Sequence, residues 1–115
     1  MDERKRRIGK NEALFRQVNE EVDALNRSLA SLTDETMHIV CECGKIDCQE
    51  RLVVPLPAYE RVRSDPTWFL VLPGHELPST ETVVEEGRGY LVVQKHEGGP
   101  AEIAEATDPR RRPGS

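Results

Sequence analysis

Aromatic side chains are scarce: two Phe, two Tyr and one Trp in 115 residues. Phe15, Tyr59, Trp68, Phe69 and Tyr90 do not interleave with basic residues, so the chain offers no platform for stacking nucleic-acid bases. Long apolar runs are missing too. None approaches the roughly 20 residues needed to cross a bilayer. The opening MDERKRRIGKNE carries charge with no apolar stretch behind it, unlike a secretory leader. These absences lead to the expectation of a cytoplasmic chain that does not engage a membrane. Catalytic signatures are equally thin. There is no His-Glu-x-x-His, no zinc-deaminase pattern, no serine elbow, no Walker loop and no dinucleotide glycine pattern, so no catalytic residue is assigned and the expectation is a non-enzyme.

Charge is plentiful at 32% of residues, against 37% hydrophobic. Such a chain builds a small core, and a core of that size gains from a metal staple. The net charge of −5 is uneven. Residues 1–10 hold five Lys/Arg against two acids, whereas the body between residues 11 and 96 is strongly acidic. An acidic body repels a phosphate backbone, so nucleic-acid binding is disfavoured, with the basic N-terminus as the one segment able to support it.

From Ile8 to Leu32 the apolar residues recur in steps of three and four. Ile8, Phe15, Val22 and Leu29 form one row, and Val18, Leu25 and Leu32 the other. This spacing predicts an amphipathic helix over 11–33, beginning near Gly9 or Asn11 and ending in the turn-forming TDET at Thr33–Thr36. About 22 helical residues span roughly 33 Å, longer than the domain behind them. The stripe therefore serves one of two ends. It closes the chain's own core, or it docks on a partner protein or a second copy through Phe15, Val18, Val22, Leu25 and Leu29.

After the helix the periodicity becomes strand-like. MHIVC (37–41) and RLVV (51–54) flank the cysteines as a hairpin would, TWFLVL (67–72) reads as a buried strand, and TVVEE (82–86) with GYLVVQK (89–95) reads as a second hairpin around Gly87-Arg88-Gly89. Pro57 at a first helical position and Asp65-Pro66 as a stop bound a short helix over 57–64. Arg61 and Arg63 on it, and RRRP near the C-terminus, read as solvated charge. The Gly-, Pro- and Ala-rich stretch 97–115 reads as a disordered tail. The expected architecture is α+β: a basic segment 1–10, a long helix 11–33, and a domain over 34–96 with a small, mainly antiparallel sheet and one short helix.

All three cysteines fall within IVCECGKIDCQE, at positions 41, 43 and 48. In a reducing compartment crowded thiols point to metal or redox chemistry, and an odd number leaves one over from any internal pairing. Three adjacent thiolates repel one another, and a divalent cation removes that repulsion while fixing the loop. Gly44 lets the chain turn so that backbone N–H groups approach the sulfurs. Sulfur ligands select zinc or iron–sulfur chemistry, and an iron–sulfur cluster usually takes four cysteines, so the expected cofactor is Zn2+. The fourth ligand is sought among three histidines. His75 stands first, in the irregular VLPGHE after a core strand. His38 lies three residues before Cys41 on a strand and so points to the opposite face, and His96 follows the last strand. Were His75 not a ligand, Glu76 would be a candidate base beside an open metal position.

The stretch CECGKIDCQERLVVPLPAYERVRSDPTWFLVLPGHE, with RIGKNEALFRQVNEEV before it, resembles a family of small bacterial proteins, chiefly actinobacterial and largely uncharacterised. They share a Cys-x-Cys-Gly-x-x-x-Cys loop, a Tyr-x-x-Val-Arg-x-x-Pro helix and a Pro-Gly-His turn. The resemblance covers about residues 4–95. It implies that Cys41, Cys43, Cys48 and His75 act together, and it carries no activity with it. The functional expectation is a zinc-stapled interaction or regulatory module. The alternative is a thiol-based redox or zinc sensor whose cysteines release metal on oxidation.

Overall fold

The computed structural model describes residues 3–28, 36–45, 47, 48 and 50–110. A long helix α1 (Glu3–Ser28) is followed by strands β1 (Thr36–Val40) and β2 (Arg51–Pro55), and by helix α2 (Leu56–Arg63). Strands β3 (Trp68–Val71), β4 (Glu81–Glu86) and β5 (Leu91–Lys95) and a last helix α3 (Gly99–Ala106) complete it. The α+β architecture expected from the sequence is present, but the strands form two sheets. β1 pairs antiparallel with β2 as a separate two-stranded unit, and β3, β5 and β4 form a second antiparallel sheet in that order.

Two apolar clusters explain the division. On one face of the three-stranded sheet, Leu70 and Val92 pack with Met37, Ile39, Leu52 and Val54 of the hairpin and with Tyr59 and Val62 of α2. On the other, Phe69, Val71, Leu91 and Val93 pack with Cys41, Cys43 and Ala104. β3 and β5 are thus covered on both sides, which is why WFLV and LVV are continuous apolar runs while β1 and β2 alternate. β4 is irregular between Val83 and Glu85, and Gly89 at φ 80° turns the chain into β5.

Three expectations are corrected. First, α1 begins at Glu3 and runs straight through Gly9, so the basic segment belongs to the helix. A side chain at Gly9 would crowd Ile103 of α3 at 3.2 Å, and the bare backbone lets the two helices approach. Second, part of the supposed tail is α3. Pro100 occupies its first turn and Ala101 and Ala104 are buried, so the small residues that suggested disorder serve close packing. Third, the face α1 buries is polar. Glu12 (1% exposed), Arg16 (1%), Asn19 (0%) and Asp23 (4%) line it at helical spacing. Phe15 and Val22 are only half-buried at its margin, while Val18 (36%) and Leu25 (62%) face outward with Leu14 (52%). Leu29 and Leu32 lie outside the described residues, as does the end of the predicted helix. Among the described residues no helix is long and apolar enough to cross a membrane.

Candidate metal centre

The cysteine loop leaves the β1–β2 hairpin immediately after Val40. The backbone N–H of Cys41 bonds the Glu50 carbonyl at 3.1 Å and closes the loop's base. Glu42 N–H donates to the Leu70 carbonyl at 2.8 Å, which lays the Cys-x-Cys segment against β3. Gly44 then turns the chain at φ 81°, and a Cys48 N–H to Lys45 carbonyl bond of 2.9 Å brings the third cysteine back. His75 arrives from the end of β3. Pro73 and Gly74, the latter at φ 93°, make a turn closed by His75 N–H on the Leu72 carbonyl at 2.9 Å.

These two segments bring Cys41, Cys43, Cys48 and His75 together, with one ligand atom from each and all four atoms within 4.8 Å of one another. The Cys41 and Cys48 sulfurs each lie 3.7 Å from His75 Nδ1. Zinc–sulfur bonds of about 2.3 Å and zinc–nitrogen bonds of about 2.0–2.1 Å at tetrahedral angles place S and N about 3.6 Å apart. The group fits a four-coordinate cation. Cys41 and Cys43 are buried, and Cys48 and His75 are half-buried. Backbone amides supply outer contacts: the Lys45 N–H of Gly44's turn bonds Cys43, while Leu72 N–H, beyond β3, reaches Cys41 Sγ at 3.2 Å and Glu50 N–H, before β2, bonds Cys48.

The three thiols hold their protons with unequal strength. The hydrogen bond from Cys41 draws Cys43 down to about 4, with help from the Lys45 amide and His75. The same bond and burial push Cys41 up, and burial raises Cys48. A bound dication would favour the ionised form of all three.

His38 lies on the exposed face of β1 opposite Val53, away from this group. His96 is exposed and bonds Thr82 Oγ1 at 3.0 Å. Glu76 accepts from the Gly74 amide at 2.7 Å and braces the turn that carries His75.

Sequence reasoning passes over the carboxylate between the first two cysteines. Glu42 is fully buried. Its Oε1 accepts from Arg63 Nη2 at 2.8 Å and from the Leu70 amide at 3.0 Å, and its Oε2 from Asn19 Nδ2 at 2.6 Å. Arg63 is therefore a buried ion-pair partner, correcting its reading as solvated charge, while Arg61 is exposed and pairs with Glu85. Arg110, the first arginine of RRRP, pairs with Glu20, Asp23 and Glu60. The sequence holds a faint signal of this: Asn11 and Asn19, poor helix formers, sit eight residues apart on one face of α1. Asn11 Nδ2 donates to the Gly44 carbonyl at 2.9 Å, and Asn19 exchanges two bonds with the Val40 backbone, of 2.9 and 2.8 Å. Around buried Phe69 stand three cations, Arg16, Lys95 and Arg63, at 4.6, 5.8 and 5.9 Å from the ring centre. No family model, curated protein or solved structure matches the chain.

Proposed function

We propose that this chain is a non-enzymatic interaction or regulatory module whose Cys41, Cys43, Cys48 and His75 hold one structural Zn2+. The observation that carries this reading is the convergence of four ligand atoms from two segments that are 27 residues apart between Cys48 and His75. Three sulfurs and one nitrogen saturate a tetrahedral ion and leave no position for substrate, which is the pattern of a structural site. Bound there, the cation supplies charge compensation for the thiolates and ties the hairpin loop to β3. The resemblance to the small bacterial family with a Cys-x-Cys-Gly-x-x-x-Cys loop is consistent with this assignment. The interaction role falls to α1, whose Val18 and Leu25 face outward and suit a protein partner or a second copy.

Metal analysis of the purified protein should find one zinc per chain. His75→Ala should lose it, and His38→Ala and His96→Ala should retain it. Absence of zinc from the parent protein, or its full retention in His75→Ala, would remove the basis for the assignment.

One observation favours a second reading. Cys48 is half-buried and at the open side of the site, within reach of a small oxidant. Hydrogen peroxide would take two electrons from two of the sulfurs, which join as a disulfide; the peroxide leaves as two waters after protonation, and the zinc is released. Reversible zinc release at low peroxide concentration, restored by a thiol reductant, would identify a sensor. A site inert to peroxide identifies a staple.

A further inference from the structure

We infer that α1 is a metal-dependent latch: filling the four-ligand site tightens the helix onto the domain, and emptying it loosens the helix while the three-stranded sheet persists. This inference rests on the metal reading above and adds to it a moving part.

The first ground is the chemistry of the docking face. α1 buries Glu12, Arg16, Asn19 and Asp23. An apolar stripe holds a helix wherever apolar surface meets it. A polar face holds only while each partner atom stands in place, since unmade hydrogen bonds leave buried groups bare.

The second ground is that part of this face rests on the metal loop, while Glu12, Arg16 and Asp23 are held elsewhere by Lys95, by Pro66, Ala104 and Thr107, and by Arg110. Asn11 bonds the Gly44 carbonyl, and Asn19 bonds both the Val40 backbone and the Glu42 carboxylate. Gly44 itself fits under the helix so closely that a Cβ there would sit 2.7 Å from Ile8 Cγ2 and 2.9 Å from the Ile8 carbonyl oxygen. The helix thus reads the path of residues 40–44, and that path is the approach to Cys41 and Cys43.

The third ground is what fixes the path. Residues 41–45 have no strand or helix of their own. The loop bonds that hold them are Cys41 to Glu50, Glu42 to Leu70, and Cys48 to Lys45. The Glu42 carboxylate adds bonds to Arg63, Leu70 and Asn19 that pin the middle of the segment, and Cys43, Cys48 and His75 are tied to one another through a shared cation. Removing it withdraws the tie between the sulfurs and His75 and loosens the segment on which Asn11 and Asn19 rest. Metal binding and helix docking are then linked, and the linkage runs both ways.

Hydrogen exchange on the full chain, zinc-loaded and after removal of zinc by a chelator, tests the latch. The expected result is at least tenfold faster exchange in α1 together with residues 40–45, with less than twofold change in β3 and β5. The reciprocal measurement is zinc affinity by competition with a chromophoric chelator. Asn11→Ala and Asn19→Ala, neither of them a ligand, should weaken zinc at least tenfold, and exposed His96→Ala should leave it unchanged. Exchange in β3 and β5 shows that each variant is folded, and Asn11→Ala is the milder of the two because Asn11 is only half-buried. Unchanged exchange in α1 on loss of zinc overturns the latch and leaves the metal site standing. Collapse of all elements together also overturns it, in favour of a staple for the whole fold. If the chain binds no zinc at all, metal reading and latch fall together, and the metal content reports that failure separately.

Discussion

The side-chain amide of Asn19 in α1 donates to the carboxylate of Glu42, between two cysteines, across 2.6 Å at a site closed to solvent. One bond thereby joins the long helix to the candidate metal loop, and the other oxygen of the same carboxylate joins that loop to α2 and β3. Elements contributed by four parts of the chain meet on one buried carboxylate.

Glu42→Ala should therefore be among the most damaging single changes outside the ligands. It leaves the Arg63 guanidinium buried without its anion and the Leu70 amide without its acceptor, and breaking a buried pair from one side costs about 3–5 kcal/mol. Glu42→Gln keeps an oxygen for Leu70 and should cost less. Urea titration of the zinc-loaded proteins measures both. Equal and small losses would show that the hub contributes little.

Gly44 and Gly89 offer a matched pair, since φ is 81° at one and 80° at the other. Alanine at either meets the left-handed backbone penalty of about 1–2 kcal/mol. Around Gly89 there is open space, whereas at Gly44 the new methyl overlaps the Ile8 backbone and side chain and Glu12 Cγ. Gly89→Ala should lose only the backbone part. Gly44→Ala should lose several times more and weaken zinc as α1 is pushed away. Equal losses would mean that α1 does not rest on the loop as described.

What is legible in the sequence and what is not divides along physical lines. Thiol spacing, the Pro-Gly-His turn and the strand alternations are local patterns, and they lead to Cys41, Cys43, Cys48 and His75 and to five strands in nearly the right places. The docking face of α1 escapes because periodicity registers apolar residues, and Glu12, Arg16 and Asn19 read as solvent-facing until their partners are known. Those partners, Lys95, Pro66 and Glu42, lie 83, 50 and 23 residues away. Arg63 escapes for the same reason. The separate β1–β2 sheet is hidden because alternation shows which face is buried and says nothing about which strands pair beyond a hairpin. In α3, Gly and Pro sit at the helix start, where they are tolerated, yet by composition they resemble disorder.

Arg16 should be irreplaceable by lysine. Its two terminal nitrogens reach the carbonyls of Pro66 at 2.6 Å and Ala104 at 2.7 Å and the Thr107 hydroxyl at 3.2 Å, a fork that a single ammonium cannot reproduce. Arg16→Lys and Arg16→Met should both destabilise by about 2–3 kcal/mol, the worth of hydrogen bonds to a charged group. The loss should appear first as faster amide exchange in α3. Full stability in Arg16→Lys would show that only the charge over Phe69 matters.

Glu12 gives the chain a stability that declines with rising pH. Its carboxylate meets Lys95 Nζ at 2.7 Å, and the same ammonium holds Glu81 at 2.8 Å, while Glu12 Oε1 is buried without a hydrogen bond. Burial pushes the Glu12 carboxyl from 4.5 up to about 8, against the pull of Lys95 and with added push from Glu81 and Glu42. The folded chain therefore binds this proton more tightly than the unfolded one. The resulting stabilisation is complete below about pH 4.5 and is lost as pH rises through about 8. Every tenfold difference in proton affinity between the two states is worth about 1.4 kcal/mol, so a decline of a few kcal/mol is expected between about pH 5 and about pH 8.5. Glu12→Gln keeps the neutral shape and removes the titration. Urea midpoints of parent and variant, both zinc-loaded, should diverge across that window in the variant's favour, and subtracting the curves cancels the pH dependence of the metal site they share. Parallel curves would show that Glu12 stays ionised against Lys95 throughout.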